Sequence, residues 1–414
     1  MKVKVFLNLF KYFGIKFFGV LSSSIIIFYL QKKYGNEIQG FYGVLSNSIL
    51  LLTILSHFGI PSLVSLQMAY YNKHNVNRVK QIINNCLKTI LIIQPVFIPL
   101  LIYQFYNITY SFTDVALLCI AIFSNVLIYF YAYVLRGLSE YGWMIFFTET
   151  SRWVIVLLTL LLFQDIIEIK KLIVFSILLS SLLTFTLAYF KTKYLGYNFS
   201  YLFYKINLNG IKKTLFSSLS LMVASFGMLC IQQINIIQLS YYQPIAEVGF
   251  FNFTFKYLMI TIMPVSVISA KYAHLTSEYY FNKKYSEVRK NLAFSSIASL
   301  CITAIAITFL YAISSYIYPF VNQKFDYKLF LLIGGSMLLF SLYGFWVSFL
   351  TQIKKSNSIV FTLFLAIICN LIVNYIVTPK YSYYGTAISD LVSNLIMLIS
   401  CVYIIFNFLK KDEK

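Results

Sequence analysis

The sequence predicts an all-α polytopic membrane protein, with about 12 transmembrane helices in two six-helix lobes around a central cavity. Three observations lead there. Of 414 residues, 60% are hydrophobic and only 11% charged, with a mean hydropathy of +0.78, whereas soluble domains are about 25% charged. The apolar residues fall in blocks of the length that crosses a hydrocarbon core, about 20 residues. The Lys and Arg residues gather in every second connection between those blocks. So much apolar surface exceeds what one soluble core hides, which excludes a soluble enzyme, a nucleic-acid-binding domain and a disordered chain. The net charge of +20 belongs to loops at a membrane surface, and no nucleic-acid partner is expected.

The spans follow in order. Lys2, Lys4, Lys11 and Lys16 precede an apolar run at 12–30 with no small-residue cleavage site after it, so the first span reads as an uncleaved helix. The second, 41–60, continues past Pro61 as an interfacial turn. The third, 82–103, contains Pro95 and Pro99; the next three are 113–135, 143–163 and 171–190. Beyond a polar stretch lie 214–240, 247–270 (with Pro264), 292–316 and 328–351, then 357–377 and 384–409, separated by a turn around Pro379. Proline removes a backbone hydrogen bond and bends a helix, so spans three and eight are expected to be interrupted. Numbered this way, 23 Lys and Arg lie on the side of the termini, 7 on the other side and 3 within spans. On short loops this split places both termini in the cytoplasm and makes the number of spans even.

The longest connection is basic and aromatic, KTKYLGYNFSYLFYKINLNGIKK at 191–213. It divides the chain into an N-lobe (1–190), an interfacial amphipathic linker (191–213) and a C-lobe (214–414). Its lysines either touch anionic lipid head groups or simply set topology. QGFYG at 39–43 and EVGFFN at 247–252 open spans two and eight. That faint repeat suits two halves related by an axis along the membrane normal.

Chemistry-bearing motifs are few. The chain lacks GxxxxGK[ST], GxSxG, HExxH and DxD, so no ATP site, serine nucleophile or metal site is expected. The cysteines (86, 119, 230, 301, 369 and 401) sit in or beside apolar runs without CxxC spacing and read as packing residues. No cofactor is expected beyond a coupling H⁺ or Na⁺.

Charges inside spans are expensive and mark functional positions. Thr148-Glu149-Thr150-Ser151-Arg152 in span five puts Glu149 and Arg152 three residues apart, on one helix face, where they can pair. The pair is either a structural tether or part of a water-facing wall. Lys256 lies about nine residues into span eight, about 13 Å deep; it faces a polar interior unless its long stem reaches the interface. Lys88 is nearer the cytoplasmic end of span three and can snorkel. His57, near the inner end of span two, reads as a packed or interfacial residue. Asp390, in Ser389-Asp390-Leu391-Val392-Ser393-Asn394, is either an acid near a helix N-terminus or a buried carboxyl that binds a proton or Na⁺. Gln232, Asn235 and Gln238 in span seven, with Asn370 and Asn374 in span eleven, either glue helices together or line a hydrated cavity for sugar hydroxyls.

Five segments carry a family resemblance: YGNEIQGFYGVLSNS (34–48), HFGIPSLVSLQMA (57–69), YVLRGLSEYG (133–142), EVGFFNFTFKYLMITIMP (247–264) and NLIVNYIVTPKYSYYGTAISDLVSN (370–394). The first two together resemble the first hairpin of O-antigen repeat-unit flippases (Wzx type), and the other three, in order, their fourth-to-fifth connection, eighth helix and last hairpin. These form part of the polysaccharide-transporter branch of the MOP flippase superfamily. The resemblance implies a bacterial inner-membrane transporter rather than an enzyme. It would move undecaprenyl-pyrophosphate-linked oligosaccharide to the outer leaflet by alternating access, in contact with membrane lipids and other polysaccharide-assembly membrane proteins. It also implies anion contacts at Lys256, Arg152 and Lys88, and ion coupling at Glu149 or Asp390. Lys256 stands where the family commonly has a basic residue in its eighth helix. The rival readings are a multidrug exporter of the same superfamily, whose cavity would favour acids, a lipid II flippase, which usually has fourteen spans, and an O-antigen polymerase or ligase, which would carry a large outer loop.

Overall fold

The computed structural model describes residues 2–71, 76–109, 111–197, 208–263, 265, 272, 275–280, 282–353 and 356–411. Among these residues there are helices and no strands. A chain in hydrocarbon must satisfy its backbone groups internally, and a helix does so within one segment. In chain order the long helices are α1 (Lys2–Ser56), α2 (Ile60–Tyr71), α3 (Val76–Thr109) and α4 (Phe112–Gly137). Next come α5 (Tyr141–Ile145), a π-helical turn (Phe146–Thr150), α6 (Ser151–Phe163), α7 (Ile169–Tyr194), α8 (Leu208–Tyr242) and α9 (Ile245–Met259). The last four are α10 (Tyr285–Phe320), α11 (Tyr327–Gln352), α12 (Ser356–Tyr381) and α13 (Tyr383–Lys411).

Among the described residues, ten helices are long and apolar enough to cross a membrane, or eleven with the bent α8 taken as one span. The difference from twelve lies mostly in α1. Its 43-residue stretch Gly14–Ser56 holds both of the first two expected spans, with a non-helical residue only at Gly35 (φ 78, ψ −169). At 1.5 Å per residue that stretch is about 65 Å long, twice the hydrocarbon thickness. The polar QKKYGNEIQG segment, expected as a loop, is therefore a glycine break between two helices. Only glycine adopts this backbone region without strain.

Other boundaries also differ. α3 runs on through Pro95 and Pro99 rather than stopping at them. Span two ends at a His57-Phe58-Gly59 turn with positive φ at Phe58 and Gly59, before Pro61. Pro379 lies inside the last turn of α12, and the turn itself is Ser382 (φ 50). Pro264 and residues 198–207 of the basic connection fall outside the described residues.

The chain forms two compact units: residues 1–26 with 45–226, and residues 27–44 with 227–414. Their division after Phe226 lies inside α8, whereas the sequence placed it at 191–213.

Polarity is inverted relative to a soluble protein. On α10, Ser295, Ser299 and Thr303 are fully buried at helical spacing, while Phe294, Ile297, Ile305 and Phe309 are exposed. On α7, Ser176, Ser180, Ser181 and Thr184 face inward while Leu183, Leu187 and Phe190 face outward. Small residues let helices approach where apolar burial alone gives no drive, because lipid is as apolar as leucine. The second unit adds an aromatic cluster: Tyr318 meets Phe253 and Phe325 edge-on, with centroids 5.3 and 5.1 Å away.

Within that unit the two similar segments meet. A Cβ on Gly40 would overlap the Ile245 carbonyl oxygen, one on Gly249 the Asn36 carbonyl oxygen, and one on Gly43 would lie 2.5 Å from Asn252 Nδ2. Across the Gly35 break, Gln31 Nε2 donates to Asn36 Oδ1 (2.7 Å), and Lys32 Nζ sits 3.6 Å from the Phe320 ring centroid.

Candidate functional site

The polar residues expected in the C-terminal half converge on one buried carboxylate. Asn370, Asn374 and Thr378 recur every four residues and share a face of α12; Thr386, Ser389, Asp390, Ser393 and Asn394 share a face of α13. α8 brings Asn235 and Gln238, and α11 brings Ser336 and Tyr343. Asp390 Oδ1 accepts from Asn235 Nδ2 at 3.0 Å and Asn394 Nδ2 at 3.4 Å, and Oδ2 accepts from the Ser336 hydroxyl.

Around this centre each amide has further partners. Asn374 Nδ2 reaches Gln238 Oε1 (2.8 Å), Asn235 Oδ1 (3.0 Å) and Asn370 Oδ1 (3.1 Å). Thr378 Oγ1 donates to Asn374 Oδ1 (2.7 Å), and Asn370 Nδ2 donates to Ser393 Oγ (3.2 Å). Tyr343 donates to Asn394 Oδ1 at 2.5 Å.

Asn235, Asn370 and Asn374 are wholly buried. They form an internal network, their amides spent on one another and on Asp390. Gln232 does line a cavity, together with Phe255, Met259, Ser336, Asp390 and Asn394, but its volume is only ≈ 10 Å³. That is room for about one water. Lys256 is half-buried on α9 and donates from Nζ to Gln233 Oε1 at 3.1 Å.

In the first unit the expected Glu149–Arg152 pair does not form. The π-helical turn at Phe146–Thr150 inserts an extra residue into the helical period, so the two side chains leave in different directions. Glu149 lies 3.5 Å from Lys16 on α1. The same turn is fastened to α1 by Thr150 Oγ1 donating to Ile15 O (2.7 Å), and it faces Gly19, where a Cβ would strike the Glu149 backbone. Arg152 turns instead to α4: Nη1 donates to Asn125 Oδ1 (3.3 Å), the guanidinium is close to Tyr129, and it lies 4.9 Å from the Trp153 ring centroid.

Lys88 is buried rather than snorkelling to an interface. His57 is the packed residue expected, its Nδ1 accepting from the Gly59 amide at 3.1 Å. Sequence reading missed Ser336, Tyr343, Asn125 and Tyr129; only Asn125, a lone amide in the middle of span four, carried a signal. Among the described residues no three His, Cys, Asp or Glu side chains gather to hold a metal.

A family model described as polysaccharide biosynthesis protein matches residues 7–271. The chain belongs to this family. The fold is that of MOP-superfamily transporters, and the identities show no more than that. The lipid II flippase MurJ in an inward closed conformation superposes with a TM-score of 0.68 at 13% identity, over 95% of this chain and 87% of that one. An inward-facing multidrug resistance MATE transporter of the superfamily superposes with 0.68 at 13% identity, over 95% of both chains. A superfamily transporter from Pyrococcus furiosus, described as having a binding pocket of reverse polarity, superposes with 0.62 at 11% identity over 99% of this chain and 95% of that one. No curated protein matches the chain significantly.

Proposed function

We propose that this protein carries undecaprenyl-pyrophosphate-linked repeat units of a surface polysaccharide such as O-antigen. The movement is from the cytoplasmic to the outer leaflet of the bacterial inner membrane, by alternating access. The observation that carries the reading is the polysaccharide biosynthesis family match over 7–271 on a transporter fold. Both termini are cytoplasmic, as the Lys and Arg distribution requires. Lys256, Arg152 and Lys88 attract the anionic head group.

Asp390 is the coupling acid, and the coupling ion is a proton. Three donors (Asn235 Nδ2, Asn394 Nδ2 and the Ser336 hydroxyl) face its carboxylate. The amide oxygen of Asn235 is occupied by Asn374 and Ser389, and that of Asn394 by Tyr343. A sodium ion requires several oxygens turned toward it; a proton requires only the carboxylate. Glu149 is the less suited acid because Lys16 already neutralises it.

The test is reconstitution with a lipid-linked oligosaccharide and a leaflet-specific glycan label. An imposed proton gradient is expected to accelerate transfer in wild type and not in Asp390→Asn, and a sodium gradient to have no effect. Cells lacking the protein are expected to accumulate lipid-linked repeat units on the inner leaflet. Normal surface polysaccharide in such cells refutes the proposed function.

A further inference from the structure

Among the described residues, the first unit holds several buried donors that no acceptor meets, and two of them are on neighbouring side chains. Asn125 is 1% exposed, and among the described residues its Nδ2 has no hydrogen-bond partner; neither does Arg152 Nε. The amide cannot be turned over to relieve this, because Nη1 of Arg152 holds its oxygen at 3.3 Å. Flipping would set donor against donor. A buried donor left unmade is costly, so two together on neighbouring side chains describe a place for an anion. The charge agrees. Glu149 is drawn off to Lys16 at 3.5 Å, which leaves the guanidinium without a carboxylate among the described residues. Tyr129, one helical turn from Asn125 on α4, adds a hydroxyl beside the same guanidinium.

Depth decides what the anion is. Arg152 is the central residue of the 23-residue span Tyr141–Phe163, and Asn125 is at the centre of the 26-residue span Phe112–Gly137. Each therefore lies about 16 Å or more from the span ends along the helix. Resident phospholipid phosphates lie beyond the edges of a hydrocarbon core about 30 Å thick. A phosphoryl group reaches this depth only in transit.

We propose that Arg152, Asn125 and Tyr129 form a subsite that receives a phosphoryl oxygen of the transported lipid's head group midway across the bilayer. The assignment of the transported lipid rests on the function proposed above; the subsite rests on the unpartnered donors. The Nε edge of Arg152 and Asn125 Nδ2 donate to the phosphoryl oxygens, and Tyr129 completes the shell. Asn125 is a specificity residue of this subsite, since it supplies a donor without adding charge.

The experiment uses the full chain in lipid nanodiscs, with Trp153 fluorescence as the readout because the guanidinium lies on that ring. The probes are a short polyprenyl pyrophosphate, the corresponding polyprenol and added phosphatidylglycerol. The pyrophosphate is expected to change the signal, and the polyprenol and phosphatidylglycerol are not. Asn125→Asp, which supplies Arg152 with an internal carboxylate, is expected to weaken binding at least about tenfold, and Tyr129→Phe about threefold to tenfold. Tyr129→Phe preserves shape and keeps the test intact if Asn125→Asp fails to fold.

Pyrophosphate binding unchanged in both variants overturns the subsite, and so does equal competition by phosphatidylglycerol. Transport by wild type with unaltered binding in the variants removes the subsite alone. Wild-type binding without transport removes the proposed function and leaves the subsite standing.

Discussion

Two alanine substitutions in one helix should have opposite signs. At Gly40 an added methyl would overlap the Ile245 carbonyl oxygen and lie 2.9 Å from the Gly249 amide nitrogen and 3.0 Å from the Ile245 carbonyl carbon. Carbon is comfortable at about 3.5–4.0 Å, and the overlap with the Ile245 oxygen is the worst contact, so α1 and α9 must part by more than about 1 Å. The obstructing atoms are backbone and cannot swing aside as a side chain would. Overpacking of this kind costs about 1–3 kcal/mol, against up to ~1 kcal/mol gained because alanine favours a helix over glycine. Gly14, also in α1, has nothing within 4 Å of its added methyl, so Gly14→Ala keeps the gain and carries no clash. The helix gain is common to both, so the two variants should differ by the overpacking cost, about 1–3 kcal/mol. Measured as the heating midpoint of a fluorescent fusion by size-exclusion chromatography, Gly40→Ala is expected several degrees below wild type and Gly14→Ala at or slightly above it. A Gly40→Ala protein as heat-resistant as Gly14→Ala would refute the close approach of Gly40 to Ile245.

Further substitutions probe other features. Gly35→Ala meets no neighbour within 4 Å, yet φ +78 is strained for any L side chain; about 1–3 kcal/mol of destabilisation is expected, read as a lower midpoint in the same assay. Asn374→Leu strips partners from Gln238, Asn235, Asn370 and Thr378 at once. At about 0.6–2 kcal/mol per lost interhelical bond in a membrane, it should be among the least stable single variants, and wild-type heat resistance would show that the network contributes little. Glu149→Gln breaks only a partly exposed ion pair with Lys16, so its effect is expected to stay within about 1 kcal/mol; loss of the fold would contradict that.

The class and the order of helices were legible because hydrocarbon imposes a length and a polarity on every span. The break at Gly35 was not. QKKYGNEIQG reads as a solvated loop, but its residues pack against α9, α10 and the Phe320 ring, which a local pattern does not reveal. Asp390, Asn235 and Asn374 stood out as polar residues in apolar surroundings, yet their meeting across 155 and 139 residues of chain is a matter of tertiary arrangement. The Glu149–Arg152 expectation failed for a narrower reason. Three-residue spacing implies a shared face only in a regular α-helix, and FFTET gives no composition cue for a π-helical turn. Asn125 was passed over although it is a mid-span amide, because its role appears only with the guanidinium beside it.

The amide network also bears on how the chain is made. α8 leaves the ribosome long before α13, so Asn235 enters the bilayer without Asp390 and Ser389, and its other partner Asn374 arrives only with α12. Until the last helix inserts, several polar side chains remain in hydrocarbon with an incomplete set of bonds, at a cost of several kcal/mol. A polypeptide cut short after Tyr381 stays in that condition. Such remnants would be conspicuous to membrane proteases, so assembly of the second unit is secured only when synthesis is nearly finished.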